Sequence, residues 1–173
     1  MLSRRSVRIK VMQTIYSVDR GSVNDYYAGR KVLFKALDQT LDLFFYQIYF
    51  LVKIAGFSKE YKEIRKSRHV EDSDKQKAFD KLYNNFFVDY ITEESQFLSI
   101  IKERKLKRLY DEGVNRALFH ALLETDFYSE YMMVEHSENT DKEILLQLYS
   151  KVMLKNERFQ SHLEENFTYF DED

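Results

Sequence analysis

The sequence contains no cysteine, no proline and no tryptophan, and only four of its 173 residues are glycine. The absence of cysteine excludes disulfides, thiolate metal sites and cysteine catalysis. Tight turns between strands depend on glycine and proline, so the scarcity of both residues favours long helices. We therefore predict an all-α protein built as a multi-helix bundle of about seven or eight helices.

What the sequence does contain is enough apolar material for a core. Apolar residues make up 44% of the chain and include 13 Tyr and 14 Phe, so aromatic rings should fill much of the interior. The longest apolar run, LFFYQIYFLV at 43–52, is shorter than the roughly 20 residues that span a bilayer. No secretory signal is visible in the amino-terminal residues. We expect a cytoplasmic protein with no membrane partner.

The spacing of apolar residues predicts where the first two helices lie. The first helix should begin after the N-cap Ser3, run to about Val18, and bury one stripe made of Val7, Val11, Ile15 and Val18. The second should run from about Asn24 to Ala55, with a possible interruption at Gly29 and a C-cap at Gly56. Its expected inward stripe is Leu33, Leu37, Leu41, Phe44, Ile48, Leu51 and Val52.

The rest of the chain reads as shorter helices separated by polar segments. A short charged helix should occupy 59–69, followed by a loop at 71–74 in which Ser73 or Asp74 caps the next helix. Gly113 should mark a break. The remaining helices are expected to carry Phe79 to Phe86 and to cover 92–109, 114–125, 126–135 and 140–166.

The residue patterns of common catalytic and metal sites are missing. A di-iron bundle needs Glu-x-x-His pairs, but the residues three positions before His69, His120, His136 and His162 are not glutamate. Four scattered glycines cannot form a phosphate-binding loop, and no nucleophile elbow occurs. We expect a protein that is not an enzyme, with no catalytic residues, no metal site and no cofactor.

The opening helix, RRSVRIKVMQTIYS at 4–17, carries its positive charge at the wrong end. A cation in the first turn opposes the helix dipole and costs roughly 0.3–1 kcal/mol. Helical spacing puts Arg5, Arg8, Met12 and Tyr16 on one strip, with Arg4 one turn earlier. Arginines bind phosphates and an exposed tyrosine ring stacks on unpaired bases, so the strip suits single-stranded RNA. An ordinary solvated basic helix end, with Tyr16 at a core margin, fits the same spacing.

Two further basic clusters invite the same comparison. One is KERKLKR at 102–108, and the other consists of Lys62, Arg65 and Lys66. Such runs are most often solvated faces. They would contribute to RNA binding only if the fold placed one of them beside the first helix.

The opening stretch LSRRSVRIKVMQTIYS closely resembles the first helix of the NusB family of bacterial transcription antitermination factors. In that family an arginine-rich start leads into a helix with glutamine, an apolar residue and tyrosine near its end. The matching residues here are Arg4, Arg5, Arg8, Gln13, Ile15, Tyr16 and Ser17. The form RR-x-x-R-I-K-V-M-Q looks like the lengthened NusB variety of the Bacteroidetes, in which extra helices follow the first.

A second, looser similarity lies near the other end of the chain. Residues 144–166, ILLQLYSKVMLKNERFQSHLEEN, look like the helix that ends the amino-terminal half of NusB. The resemblance implies one helical domain over 1–173: the arginine-rich helix at 1–18, extra helices at 24–139, and the family helix at 140–166. The family's carboxy-terminal half, with its I-L-R-x-A-x-Y-E-L and I-N-E-x-V-E-L-A-K helices, has no counterpart in these residues.

The resemblance also implies a function. NusB proteins are non-enzymatic and bind the boxA element of nascent ribosomal RNA together with NusE, a small-subunit ribosomal protein. That complex joins the transcription elongation complex and suppresses premature termination. Carried onto this sequence, Arg4, Arg5 and Arg8 would contact RNA, with Tyr16 as a further contributor. Much of the NusE-facing surface belongs to the missing half. The alternative is a helical protein–protein interaction module without nucleic-acid activity, suggested by the abundant aromatic residues and net acidity.

Overall fold

A computed structural model describes residues 3–21, 25–67 and 79–167, and within these ranges it is almost entirely helical and contains no strand. The prediction of an all-α multi-helix bundle is confirmed. Residues 79–83 are helical, a 3-10 turn spans Leu106–Leu109, and a π-helical segment, Leu148–Met153, extends the seventh helix. The α-helices are α1 (Arg4–Asp19), α2 (Tyr26–Ser67), α3 (Phe86–Glu93), α4 (Ser95–Glu103), α5 (Glu112–Leu123), α6 (Asp126–Met133), α7 (Glu138–Gln147) and α8 (Glu157–Asn166).

Helix α2 is the central element and is longer than predicted. It runs without interruption for 42 residues, or about 63 Å, so the predicted end at Ala55 and the separate helix at 59–69 are wrong. Gly56 lies inside the helix, where it costs about 1 kcal/mol relative to alanine. The neighbouring Phe57 and Ser58 are buried, and the Ser58 hydroxyl donates to the carbonyls of Ala55 and Phe79. This packing on both sides of Gly56 keeps the helix continuous.

The buried face of α2 also differs from the predicted stripe. Of the seven stripe residues only Val52 is buried, five are half-buried, and Phe44 is exposed at 41%. The first part of the helix is buried on one side, and the second part is buried around most of its circumference. Its first part buries the small residues Gly29, Ala36 and Thr40, whereas its second part buries a different set: Tyr46, Tyr49, Phe50, Ile54, Ala55 and Phe57. A single apolar stripe read from the sequence could not show this change of partner.

The hydrophobic core is aromatic and runs from Tyr46 to Phe167. Phe50 packs against Phe159 of α8 with ring centroids 5.0 Å apart, and Phe57 meets Phe119 of α5 edge-to-face at 5.2 Å. Such pairs add to the stabilisation that comes from burying their area. The core therefore holds the second part of α2 against the helices that follow it.

Several shorter helices begin or end away from their predicted positions. The predicted helix over 92–109 begins only at Ser95, because Glu94 is extended and caps it, and it ends at Glu103 before a left-handed Lys105. Gly113 lies in the first turn of α5, which Asp111 caps, so it is not a break. The predicted helix over 140–166 is divided near Asn156, which caps α8. The expected loop at 71–74 and its cap lie outside the described residues.

By length and apolar composition, α2 is the one described helix that could cross a membrane. The central helix of a soluble protein passes the same test, and 44% of the apolar window in α2 is buried by other parts of the protein. This property is therefore weak evidence about location.

Candidate nucleic-acid interface

The start of α1 is capped by serines and carries no compensating acid. The Ser3 side chain accepts a hydrogen bond from the backbone N–H of Ser6 at 3.0 Å, as an N-cap residue does. The first turn contains no acidic residue. The three arginines therefore sit at the positive end of the helix dipole without an acidic partner in that turn.

The predicted site residues lie on one exposed face of α1. Arg4, Arg5 and Arg8 are exposed, and none of their side chains is hydrogen-bonded or ion-paired to another residue in the part of the chain that the structure describes. Tyr16 is 57% exposed on the same side, and Met12 between them is 68% exposed. A shallow depression of about 520 Å³ on this face is lined by Arg4, Arg5, Arg8, Ile9, Met12 and Gln13.

Tyr16 carries a partner that the sequence analysis did not single out. The guanidinium of Arg20 lies over the Tyr16 ring, 5.0 Å from its centroid, in a cation–π contact. The i, i+4 spacing of Tyr16 and Arg20 was the available signal. A base that stacks on Tyr16 must use the opposite ring face or displace Arg20, and Arg20 brings a fourth arginine to this face.

The way α1 is anchored differs from the prediction. Val7, Val11 and Val18 are only half-buried and Ile15 is 60% exposed, whereas Ser6 and Lys10 are fully buried. A Cβ atom at Gly29 would lie 2.8 Å from Val18 Cγ2 and 3.6 Å from a methyl of Thr14. Helix α1 therefore approaches α2 closely over small residues. Gly29 permits that approach and does not interrupt α2.

Lys62, Arg65 and the basic segment 102–108 do not join the α1 face, and the side chain of Lys66 lies outside the described part of the structure. Lys62 is paired with Asp80, and Arg65 lies over the Phe79 ring, so both belong to the packing of α2. Arg104 pairs with Asp42 at 2.5 Å and with Asp38 at 3.7 Å. Asp38 and Asp42 each lie two positions after a buried residue, Ala36 and Thr40, on the side of α2 that carries Gly29. Two positions correspond to about 200° around a helix. The 102–108 segment therefore lies across α2 from α1.

The amino-terminal part of the chain and the rest of the chain differ in net charge. We use the name amino-terminal hairpin for α1 together with residues 26–37 of α2. Residues 1–37 contain eight basic and two acidic side chains, whereas the remaining 136 residues contain nineteen and twenty-seven. The net charge of −2 for the whole chain hides this separation, and the hairpin is the part of the chain with a net positive charge that would attract a polyanion.

Buried polar residues elsewhere serve packing. The Asp141 carboxylate, which is fully buried, accepts hydrogen bonds from the Phe86 backbone N–H, the Tyr131 hydroxyl and His136 Nε2 at 2.8–2.9 Å. His162 Nε2 lies 2.6 Å from the Tyr46 hydroxyl, and burial lowers the pKa of His162. Within residues 3–21, 25–67 and 79–167, no three His, Asp or Glu side chains come together in a way that could hold a metal ion.

One apolar groove was not anticipated from the sequence. It has a volume of about 410 Å³ and lies between α2 and α7. Its lining is Phe44, Gln47, Ile48, Leu51, Phe87, Lys142, Leu145, Leu146 and Tyr149. One wall is formed by Phe44, Ile48 and Leu51, which belong to the α2 stripe that was predicted to face the core.

Comparisons of the chain with models of protein families, with curated proteins and with solved structures found no match. The class that fold and surface define is therefore an all-α protein with an exposed arginine face on its first helix.

Proposed function

We propose that this protein binds single-stranded RNA through the exposed face of α1 and acts as a transcription antitermination factor of the NusB type. The observation that carries the proposal is the shared exposure of Arg4, Arg5 and Arg8, which have no acidic partner among the described residues. Tyr16 and Met12, exposed further along the same face, supply an aromatic and an apolar contact for a base.

The unfavourable charge at the start of α1 supports this reading. Three guanidiniums and the positive end of a helix dipole repel one another in the free protein. A bound phosphate reverses the sign of that interaction, because it is attracted by the arginines and by the helix terminus together. The arrangement therefore favours an anionic ligand and is only mildly unfavourable without one.

The resemblance of residues 2–17 to the first NusB helix supplies the finer part of the proposal. It suggests that the RNA is a boxA-like single strand in nascent ribosomal RNA and that NusE is the protein partner within the transcription elongation complex. The arginine face supports RNA binding independently of that resemblance.

The test is binding of a labelled boxA RNA and a scrambled RNA of equal length, measured by fluorescence anisotropy. The triple variant Arg4→Ala, Arg5→Ala, Arg8→Ala should bind both RNAs at least about tenfold more weakly, since phosphate contacts dominate affinity. The control is Lys59→Ala, Lys142→Ala, Lys155→Ala, which removes three exposed cations from outside the hairpin. Equal affinities for the two triple variants would overturn the assignment of α1. Preference for boxA over the scrambled RNA would support the NusB reading.

The alternative is a protein–protein interaction module, and the groove between α2 and α7 favours it. Its walls are almost wholly apolar, and grooves of this kind accept the apolar face of a partner helix. This alternative predicts that the chain binds no RNA and that a protein partner stays bound after nuclease treatment. The Leu146→Asp variant should then lose that partner. RNA binding that survives Leu146→Asp unchanged would favour the α1 proposal.

A further inference from the structure

We propose that α2 carries a second surface for single-stranded RNA, on the side of the amino-terminal hairpin away from α1. Its residues are Tyr27, Arg30, Lys31 and Phe34, and the basic segment 102–108 continues it. The inference rests on the proposed RNA-binding function and adds a second place at which the same strand is held.

The four residues share one exposed face of α2. Their spacing is i, i+3, i+4 and i+7, which places them together on a helix. Tyr27 is 74% exposed and Phe34 is 54% exposed, and Arg30 and Lys31 are exposed between them. The guanidinium of Arg30 lies over the Phe34 ring, 5.5 Å from its centroid. Rings and cations thus alternate on one surface, as they do in grooves that bind single strands.

This face points away from α1. Tyr27 lies two positions from Gly29, which packs against α1, and Phe34 lies two positions from the buried Ala36, which helical spacing places on the Gly29 side. Two positions correspond to about 200° around a helix. The arginine face of α1 and the aromatic face of α2 therefore lie on opposite sides of the hairpin, roughly two helix diameters or about 20 Å apart.

The acidic residues that follow on this face are already occupied. Asp38 and Asp42 continue the face by one and two turns, and both are paired with Arg104. The single guanidinium offsets one of the two negative charges and brings the turn after α4 against α2. Without Arg104 these two acids would repel a phosphate backbone.

The turn that Arg104 brings to α2 presents further cations. Leu106 is buried and anchors the turn, while Lys102, Lys105, Lys107 and Arg108 are exposed around it. Lys105 is left-handed, with φ of 58°, where the chain turns from α4 into the 3-10 turn. The one acid of the segment, Glu103, accepts a hydrogen bond from Ser99.

The pattern favours RNA over a membrane surface. A helix that lies on a bilayer separates an apolar face from a charged one. On α2 the aromatic rings and the cations occupy the same face, and the exposed positions between them carry charge. Binding to anionic vesicles is therefore the competing result that the experiment must distinguish from RNA binding.

The experiment compares single-stranded RNAs of about 8 and about 30 nucleotides, the shorter within the range of one site and the longer able to reach two. The full chain, the variant Arg30→Ala, Lys31→Ala, Phe34→Ala and the α1 triple variant are each titrated by anisotropy. Alanine keeps the helix, and circular dichroism checks this. Removing the α2 face should weaken the longer RNA by about tenfold or more, because the strand loses its second attachment. For the shorter RNA, the α2 variant should offer one binding site in place of two, and the remaining α1 site should keep its affinity.

The control Lys59→Ala, Lys142→Ala, Lys155→Ala should leave the length dependence unchanged. If the α2 variant behaves like this control while the α1 variant weakens binding, the second surface is refuted and the proposed function stands. If the unmodified protein binds neither RNA, both proposals fail. If the α2 variant loses binding to phosphatidylserine vesicles but not to RNA, the surface is a membrane site and the inference is overturned.

Discussion

The amino-terminal hairpin and the rest of the molecule use the same kinds of side chain in opposite ways. In the hairpin, Tyr16, Tyr26, Tyr27 and Phe34 are all more than half exposed, and basic residues outnumber acidic ones. Beyond residue 45, which we call the body, Tyr46, Phe50, Phe119 and Phe159 are fully buried in a chain segment that is net acidic. Aromatic residues thus build a core in one region and lie exposed on the surface in the other.

The largest difference should appear when an aromatic ring is removed from each region. Phe50→Ala deletes a fully buried ring that packs against Tyr46, Tyr110 and Phe159, and should lower the free energy of unfolding by about 3–5 kcal/mol. Phe34→Ala deletes a ring that is 54% exposed and should lower it by at most about 0.5 kcal/mol. Urea denaturation measures both values. Similar losses for the two variants would contradict the division of the molecule into core and surface.

A smaller difference is expected for two carboxylates. Asp141→Ala removes the acceptor of the Phe86 N–H and leaves the Tyr131 hydroxyl only the Lys81 carbonyl as an acceptor, and should cost about 2 kcal/mol. Asp25→Ala, just before the α2 part of the hairpin, removes only an exposed cap on the Ala28 N–H, worth about 1 kcal/mol. The same denaturation experiment separates them, and a larger loss for the Asp25 variant would show that the hairpin holds more of the stability than its burial indicates.

The smallest of these effects concerns pH. Burial lowers the pKa of His162, so below about 6.5, the ordinary histidine value, the unfolded chain takes up a proton more readily than the folded one. The body should therefore lose stability as the pH falls through this range, and His162→Gln should decline less steeply. The hairpin contains no histidine. RNA affinity should therefore not follow this titration, and a matching drop in affinity would tie the α1 surface to the His162 region of the body.

The helical class and the exposure of the arginine face were predictable because both depend on local properties. The absence of proline and the scarcity of glycine point to helices, and the spacing of Arg5, Arg8, Met12 and Tyr16 fixes which side of α1 they share. The boundaries that failed depended on tertiary contacts. Gly56 has the appearance of a C-cap, yet the burial of Phe57 and Ser58 carries α2 through it.

The part of the proposed second surface that residues 102–108 contribute could not be predicted, because it depends on a long-range ion pair. The sequence shows Lys102 to Arg108 as an isolated basic run, and nothing in it indicates that Arg104 reaches Asp38 and Asp42. The same holds for Gly29, whose role is visible only from the closeness of Val18. Sequence spacing gives the face of a helix, whereas the partner of that face comes from packing.

The central claim is that the arginines at the start of α1 neutralise RNA phosphates. The most direct measurement is the dependence of the association constant on salt for a short single-stranded RNA, for the unmodified protein and for the Arg4→Ala, Arg5→Ala, Arg8→Ala variant. Each phosphate neutralised on a single strand contributes about −0.7 to the slope of log K against log salt. The account predicts that the variant's slope is shallower by about 2, while the Lys59→Ala, Lys142→Ala, Lys155→Ala control keeps the original slope. Equal slopes for the unmodified protein and the arginine variant would contradict it.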